Sequence, residues 1–366
     1  MAPNNTSRET TMWVEKYRPE SLDDVVSHEH IITTIQRLLD SKRLPHLLFY
    51  GPAGTGKTST MQAIARLTNG AGWRSTCLEL NASDDRGIDV VRKQIKQFTG
   101  TRQIFQTETE QLKWVILDEA DAMTSDAQFA LRRIIEESTK TTRFCIICNY
   151  VNRIIPALQS RCTKFRFAPL PEKNIAARLR QIASAEGVEL TLDGREAIQR
   201  VAGGDMRRCV NILQATAMAS GYKVDAVAVH TCTGTPYPAD VESLWDRFML
   251  SADVAPIVAY LTDLMRNKGY ALADLVALLH EEVRKHDLPS NMAIFLFEEL
   301  AELEHRLAGA CDDAVQTASL VAVFFLARKR FMPSNAELRR LRERHQQLQQ
   351  EENAGSSTLN VMDIDD

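Results

Sequence analysis

A glycine-rich segment that ends in Lys-Thr constrains the fold of this chain more than any other feature. Residues 51–58 read Gly-Pro-Ala-Gly-Thr-Gly-Lys-Thr and fit the pattern G-x-x-x-x-G-K-[ST]. An apolar run precedes the segment and a helical pattern follows it. In that context backbone N–H groups surround phosphate oxygens, and the N-terminus of the helix adds a favourable dipole. A plain glycine-rich turn is the alternative, but the Lys-Thr pair in register favours a nucleotide site.

The loop supplies most of the predicted contacts to ATP and Mg²⁺. We expect Lys57 to reach the β- and γ-phosphates and the Thr58 hydroxyl to ligate Mg²⁺. The predicted nucleotide-binding residues of the loop are Gly51, Pro52, Ala53, Gly54, Thr55, Gly56, Lys57, Thr58 and Ser59.

A second candidate element is the apolar run 113–117, which is followed by two carboxylates, Asp118 and Glu119. Asp118 can hold the metal through water, and Glu119 can polarise a water molecule that attacks the γ-phosphate. Acidic residues after a strand are common on protein surfaces. Downstream of a phosphate-binding loop, however, this pair indicates a site that hydrolyses ATP.

Two further residues are candidates for the same site. Asn149 directly follows the apolar run 144–148, and its amide could orient water or contact the γ-phosphate; a turn-forming asparagine is the alternative. Asp205 is expected to cap a helix, which places Arg207 and Arg208 in its first turn, where the helix dipole disfavours cations. A triphosphate near Arg207 would remove that penalty, whereas Arg208 is expected to face solvent.

The order of apolar runs and helical patterns predicts the fold class. Over the first 170 residues the two kinds of pattern alternate, which indicates an α/β P-loop domain with a Rossmann-like parallel sheet. The predicted strands are 47–50, 77–80, 114–117, 144–148 and 164–167, and the predicted helices are 57–67, 89–98 and 126–137, the last behind a cap at Thr124 or Ser125. Three short helices are expected from residue 171 to about 220, and a further all-helical block extends to about 331.

Composition excludes several other classes of protein. Hydrophobic residues make up 44% and charged residues 25%, as in soluble globular proteins, and we expect no membrane segment and no signal peptide. The seven scattered cysteines indicate a reducing compartment. Cys145 and Cys148 form a C-x-x-C within an apolar run, which we interpret as part of a buried strand rather than a zinc or redox site. The net charge of −4 means that any contact with nucleic acid requires a local basic face.

Six motifs together resemble one known family. They are Trp-Val-Glu-Lys-Tyr-Arg-Pro at 13–19, the loop at 51–58, Leu-Asn-Ala-Ser-Asp-Asp-Arg-Gly at 80–87, Asp-Glu-Ala-Asp at 118–121, Ser-Arg-Cys at 160–162 and Gly-Asp-Met-Arg at 204–207. In this order they resemble the small subunits of replication factor C, an AAA+ clamp loader, over about residues 12–332. The resemblance implies an AAA+ domain at 1–170, a small helical lid domain at 171–235, an all-α collar domain at 236–332 and a charged tail at 333–366 that is expected to be disordered.

The resemblance also implies partners and a cellular setting. Members of the family form a hetero-pentamer, so four other replication factor C subunits are expected to surround this chain in the nucleus. ATP binding would let the complex grip the sliding clamp PCNA and primer–template DNA, and hydrolysis would release both. No membrane partner is expected.

Several site roles come from the resemblance alone. In the family the adenine pocket is lined by residues that correspond to Val14, Tyr17, Arg18 and Val26. Asn149 would act as sensor 1 and Arg207, from the lid, as sensor 2. Arg161 would be an arginine finger that completes the site of a neighbouring subunit. On its residues alone, Arg161 is a surface arginine before a strand. By the same arrangement, the ATP bound to this chain would receive its arginine finger from another subunit. The isolated chain is therefore expected to hydrolyse ATP only slowly.

Contact with DNA is expected at a basic cluster. The cluster comprises Arg86 and, within about one helical turn of each other, Arg92, Lys93 and Lys96. Such charges usually form a solvated helix face. The resemblance places this helix on the inner wall of the spiral, which favours contact with DNA phosphates and gives no sequence preference.

Two other functions compete with that of a clamp loader. An AAA+ unfoldase needs an aromatic pore loop after the second strand, but residues 81–87 are polar and charged. A scaffold subunit would bind ATP without hydrolysing it, although Lys57 and Glu119 favour hydrolysis. Two positions depart from the family. Ala53 replaces a proline, and because its backbone N–H can face phosphate, binding is expected to survive. Ser27 replaces a glycine, which either alters the adenine pocket or marks the subunit.

Overall fold

The chain forms two compact units, one that extends to Cys232 and one that begins at Thr233. A computed structural model describes residues 12–22, 24–25, 27–41, 44–82, 88–100, 112–139, 141–251, 253–309 and 312–332.

A parallel five-stranded sheet organises the first unit. Its strands are β1 (His46–Tyr50), β2 (Cys77–Asn81), β3 (Lys113–Asp118), β4 (Thr142–Cys148) and β5 (Cys162–Arg166), in the spatial order β2-β3-β4-β1-β5. Strands β1, β3 and β4 are buried almost throughout, as is typical of a parallel sheet that is covered on both faces. The predicted α/β fold is confirmed.

The described residues of this part of the chain form seven α-helices; all but the first, whose Trp13 packs with the later helices, accompany the sheet. They are α1 (Trp13–Lys16), α2 (Glu29–Asp40), α3 (Lys57–Asn69), α4 (Trp73–Thr76), α5 (Ile88–Gly100), α6 (Ser125–Ser138) and α7 (Pro156–Gln159). The predicted cap of α6 is at Thr124, whose side chain accepts a hydrogen bond from the Ala127 N–H. Cys145 and Cys148 belong to the apolar clusters on opposite faces of the sheet. The two thiols therefore do not share a site.

Strand β5 begins earlier than the sequence indicates. It spans Cys162–Arg166 rather than 164–167, because it is an edge strand in which only Phe165 is buried. The apolar residues that indicate a strand in the sequence are therefore Phe165 and Phe167, which shifts the predicted strand toward the C-terminus. Phe167 is fully buried just beyond the strand, and its N–H still donates to the Tyr50 carbonyl at 2.8 Å.

A mainly helical segment follows the sheet and is called the lid segment below. It consists of α8 (Glu172–Glu186), β6 (Glu189–Leu190), α9 (Leu192–Ala202), α10 (Met206–Ala219), β7 (Lys223–Val224) and α11 (Ala226–Thr233). The first three of these helices match the prediction, whereas the two-residue strands β6 and β7 were too short to show a sequence period. The lid segment has its own apolar core, which also receives Trp13.

The described part of the second unit contains helices only: α12 (Pro238–Leu250), α13 (Val254–Lys268), α14 (Leu272–Lys285), α15 (Ser290–Leu307) and α16 (Asp313–Phe331). Pro238 occupies the first turn of α12, where a missing N–H is tolerated. The rings of Phe248 and Phe324 stack at a centroid distance of 4.4 Å in the core. Among the residues that the structure describes, no helix is both long and apolar enough to span a bilayer. The predicted tail, 333–366, lies outside the described residues.

Candidate nucleotide-binding site

The candidate residues converge at the carboxyl edge of the sheet. The glycine-rich loop follows β1, Asp118 ends β3 and Asn149 follows β4. Asn81, the last residue of β2, pairs in register with Asp118. Because parallel strands end at one edge, residues that are distant in sequence meet there, and ligands commonly bind at such an edge.

The loop conformation depends on glycine at two positions. Gly51 has a φ of 145°, and a Cβ added there would lie 2.0 Å from the Phe167 carbonyl oxygen. Gly54 has a φ of 67°, and its added Cβ would lie 1.6 Å from the Asp205 carboxylate. Helix α3 begins at Lys57, so its unpaired N–H groups face the space that the loop encloses.

The Lys57 ammonium is buried and held by three oxygen atoms. Its Nζ donates to the carbonyls of Gly51 at 2.8 Å and Pro52 at 2.7 Å, and to the side-chain oxygen of Asn149 at 3.1 Å. Burial lowers the pKa of Lys57, an effect that the Asp118 carboxylate opposes. Three acceptors satisfy the three donors of the ammonium. Phosphate oxygens could replace these acceptors without leaving the charge unpaired.

Oxygen donors suited to Mg²⁺ lie beside this lysine. The Thr58 hydroxyl donates to Asp118 Oδ2 at 2.7 Å, and the Glu119 N–H donates to Asp118 Oδ1 at 2.9 Å. Glu119 has a φ of 54°, a left-handed conformation that costs a residue with a Cβ about 1–3 kcal/mol. Across the described residues, no group of three or more His, Cys, Asp or Glu side chains is arranged to hold a metal. Mg²⁺ usually needs only one or two protein ligands together with phosphates and water, so Thr58 and Asp118 fit.

A cavity of about 440 Å³ joins these groups to an apolar pocket, a size typical of small-molecule sites. Its polar part is lined by Ala53, Gly54, Thr55, Gly56, Lys57, Thr58, Ser59, Asn81, Asp118, Glu119 and Asn149. Its apolar part includes Val14, Tyr17, Val25, Leu170, Ile182 and Val210. Arg18, for which the resemblance implies a place in the adenine pocket, lines the cavity, and its Nε lies 3.5 Å from Ser59 Oγ. Val26 lies outside the described residues, while its neighbour Val25 forms part of the wall.

The lid segment closes one side of the cavity. Asp205 caps α10 as predicted, because its carboxylate accepts from the Arg208 N–H at 3.1 Å. Arg207 and Arg208 are both exposed, and of the two only Arg207 lines the cavity. The Met206 N–H donates to the Gly54 carbonyl at 3.3 Å. The lid segment therefore touches the phosphate-binding loop directly.

Arg161 lies outside the cavity of its own chain. It forms an ion pair with Glu136 and donates to the Ala157 carbonyl at 2.7 Å. Arg132 also bonds Glu136, at 3.1 Å, and together the two guanidinium groups lower the pKa of that carboxyl. Arg161 is thus held at the surface of this chain, away from the chain's own nucleotide site.

The structure describes only part of the predicted DNA-binding cluster. Lys93 and Lys96 are exposed on α5. Arg92 lies on the same helix, but its side chain is outside the described part, and Arg86 is outside it altogether. The two lysines are three positions apart and therefore project from neighbouring turns on one side of the helix.

Sequence reasoning missed several residues that shape the site. Asp121 accepts hydrogen bonds from the N–H groups of Asn149 at 3.3 Å and Tyr150 at 3.2 Å, and so fixes the turn after β4. Arg178 lines the apolar part of the cavity, and Glu186 bonds Tyr17. A signal for Glu186 existed in the sequence, because a carboxylate at the end of a helical pattern opposes the helix dipole.

Comparisons with known proteins also indicate an ATPase domain in this part of the chain. The profile of the ATPase family associated with various cellular activities (AAA) matches residues 47–170, and that of the replication factor C C-terminal domain matches residues 236–323. Replication factor C subunit 3 of Oryza sativa subsp. japonica is 49% identical over 316 residues, which cover 86% of this chain and 87% of the relative. Replication factor C subunit 5 of Homo sapiens is 48% identical over 327 residues, 89% of this chain and 95% of the relative. A probable replication factor C subunit 5 of Dictyostelium discoideum is 49% identical over 321 residues, with 87% and 92% covered.

Proposed function

The chain belongs to the replication factor C family and is an ATPase subunit of a clamp loader in DNA replication, and from this premise we propose how its own site works. We propose that ATP binds with its triphosphate in the glycine-rich loop and its base between the apolar walls of the cavity. The observation that carries this proposal is the buried Lys57 ammonium, which is poised among loop carbonyls beside the Thr58–Asp118 pair.

The side chains divide the chemistry between them. Lys57 binds the β- and γ-phosphates, and Thr58 and Asp118 are the residues that would hold Mg²⁺, which when bound neutralises phosphate charge. Glu119 orients and polarises the attacking water. Asn149, which already bonds Lys57, is placed to report on the γ-phosphate, and Arg207 binds phosphate from the lid side.

Completion of the site requires a neighbouring subunit. Arg161 of this chain is tied to Glu136 rather than to its own cavity, which supports a role as a finger in the site of a neighbour. The complex would contain four other replication factor C subunits, and this chain would take the place named subunit five, or three in the alternative naming. Its own ATP would receive a finger from an adjacent protomer.

The remaining roles follow from family membership. We propose that the complex loads PCNA onto primer–template DNA in the nucleus, and that Lys93 and Lys96 contact DNA phosphates together with Arg86 and Arg92. The domains would be 1–170 for nucleotide binding, 171–235 as lid and 236–332 as collar, with 333–366 as a tail. The exposure of Lys93 and Lys96 on one side of α5 supports the DNA contact.

Substitution of Glu119 tests the proposal. In the reconstituted complex, Glu119→Gln keeps the shape of the side chain but removes the base, so ATP binding should persist while hydrolysis at this site falls by about 100-fold or more. The matched control is Glu137→Gln, which neutralises an exposed glutamate of α6. The measurements are fluorescent-ATP binding, steady-state ATPase rate and PCNA loading on primed DNA.

Two outcomes would contradict the proposal. If Glu119→Gln loads PCNA as fast as Glu137→Gln, the chain is a scaffold that holds ATP without needing to hydrolyse it. If the isolated chain hydrolyses ATP as fast per subunit as the complex does, the site does not need a finger from a neighbour. Lys57→Ala, which removes the buried ammonium, should abolish binding in either case.

A further inference from the structure

Two charged residues of the lid segment oppose the dipoles of their helices. Arg207 lies in the first turn of α10, where a cation is disfavoured, and it lines the nucleotide cavity. Glu186 is the last residue of α8, where a carboxylate is disfavoured. Positions that break a local rule are frequent at functional sites. The partners of Glu186 are therefore informative.

Glu186 binds two side chains of the N-terminal segment 12–18, called the strap below. Its Oε1 accepts from the Tyr17 hydroxyl at 2.5 Å and from Lys16 Nζ at 2.6 Å. The Glu186 side chain is only 15% exposed and its bond to Tyr17 is partly buried, whereas Lys16 is 47% exposed. Burial and the bond to Glu186 both raise the pKa of Tyr17, which keeps its hydroxyl protonated as a donor.

The rest of the strap is attached to the same lid segment. Trp13 is 5% exposed within the apolar core of the lid segment, and Val14 and Tyr17 pack against that core. The Trp13 N–H donates to Gln214 Oε1 at 2.9 Å, and Arg178 donates to the Tyr17 carbonyl at 2.9 Å. The strap therefore extends the wall of the lid segment.

At Arg18 and Pro19 the contacts of the N-terminal chain change from the lid segment to α3 and the core beside the sheet. Arg18 reaches Ser59 of α3 only at 3.5 Å, the limit of a hydrogen bond. Immediately afterwards, the Glu20 carbonyl accepts from Arg66 of α3 at 3.1 Å, and Leu22 packs in the core beside the sheet. Val14 and Tyr17, which wall the apolar end of the cavity, are thus held by the lid segment, whereas the phosphate-binding loop is held by the sheet.

We propose that Glu186 is a positioning residue for ATP, because its bonds to Tyr17 and Lys16 hold the strap against α8 and keep the apolar end of the cavity formed. This inference rests on the proposed function of the cavity as an ATP site. ATP binds only the arrangement in which the strap is docked. If a smaller fraction of the molecules has a docked strap, the apparent affinity for ATP therefore decreases by the same factor.

The test compares four single variants and one double variant, Glu186→Ala/Tyr17→Phe, of the full-length chain by titration with N-methylanthraniloyl-ATP and -ADP. Glu186→Ala removes the acceptor, Glu186→Gln keeps an oxygen acceptor for the Tyr17 hydroxyl, and Tyr17→Phe removes the donor. The control is Glu189→Ala, which removes an exposed carboxylate from the neighbouring strand β6. Thermal unfolding without nucleotide is measured for each, and amide hydrogen exchange of residues 13–17 reports docking of the strap directly.

We expect Glu186→Ala and Tyr17→Phe each to weaken binding by about tenfold, since each removes a hydrogen bond that involves a charged acceptor. Their double variant should be no weaker than either single variant, because both changes remove the same bond. Glu186→Gln should stay within about threefold of wild type, since the exposed Lys16 contributes little, and Glu189→Ala should bind normally. In the complex, Glu186→Ala should raise the KM for ATP and leave kcat unchanged.

Three results would overturn the inference. They are equal affinity of Glu186→Ala and Glu189→Ala, failure of Glu186→Gln to restore binding, and a fall in unfolding temperature of Glu186→Ala without faster exchange at residues 13–17. A wild-type chain that does not bind the nucleotide at all would instead refute the proposed ATP site. The two failures are therefore distinguishable.

Discussion

Replacement of Gly54 by alanine tests the contact between the phosphate-binding loop and the lid segment. Gly54 has a φ of 67°, and a Cβ built there would lie 1.6 Å from Asp205 Oδ1 and 2.3 Å from its Cγ. Asp205 cannot stay where it is, because no carbon and oxygen atoms approach so closely without a bond. Its carboxylate would have to leave the Arg208 N–H that it caps at 3.1 Å.

The expected loss of stability has two parts. An alanine in the left-handed region costs about 1–2 kcal/mol relative to glycine. Loss of the Asp205 cap of α10 costs about 1 kcal/mol more. Gly54→Ala should therefore destabilise the first unit by about 2–3 kcal/mol, and it should displace Arg207 from the cavity because that residue lies in the first helical turn after the cap.

Gly221→Ala is a closely matched control. Gly221 has the same φ of 67°, but a Cβ added there meets no heavy atom within 4 Å. Its cost should be the backbone part alone, about 1–2 kcal/mol. The difference in the free energy of unfolding between the two variants therefore gives the contribution of the Asp205 contact. In the Gly54→Ala background, Asp205→Ala should cost nothing more, because the cap has already been lost.

Calorimetry of the full-length chain measures both effects. Saturating ATP identifies the transition of the first unit, because binding to the folded state raises its unfolding temperature. Gly54→Ala should lower that transition further than Gly221→Ala does and should weaken ATP binding by about tenfold or more, whereas Gly221→Ala should bind normally. Equal stability and equal affinity of the two variants would refute the argument that Asp205 and the loop fit together through a missing Cβ.

Two further predictions concern Arg161 and His46. Arg161→Ala should leave ATP binding by the isolated chain unchanged but lower hydrolysis by about 1000-fold at the one site of the complex that it completes; an unchanged rate at every site would exclude the finger. Burial, with help from the Arg143 guanidinium, lowers the pKa of His46 to about 4 from 6.5. Between those pH values only the unfolded chain binds the proton, so the free energy of unfolding should fall by about 3 kcal/mol as pH drops from 6.5 to 4. His46→Gln should flatten this dependence, exposed His305→Gln should not, and identical slopes would contradict the assignment.

The parts of the site that sequence could predict are local in the chain. The loop, its lysine and the two acids after β3 are each encoded by a few consecutive residues, and the buried strands appear as apolar runs. The edge strand β5 was misplaced because only Phe165 of its five residues is buried. The approach of Asp205 to Gly54 could not be predicted, since no local pattern in either segment encodes a contact made by tertiary packing.

The division of the cavity explains why residues far from the phosphates should matter for affinity. The loop and the acids are held by the sheet, whereas the strap and Arg207 are held by the lid segment, and among the described residues the polar links between these two halves at the cavity are few: Met206 to Gly54 and Arg18 to Ser59. A ligand that contacts both halves binds only when the two halves are correctly positioned relative to each other. Its apparent affinity therefore depends on the free energy needed to bring them into that position. Glu186 and Asp205 touch no phosphate in the proposed complex, yet Glu186 holds the strap to the lid segment and Asp205 packs against Gly54 of the loop. Residues of the lid segment would then set the affinity for nucleotide, while the catalytic groups stay unchanged.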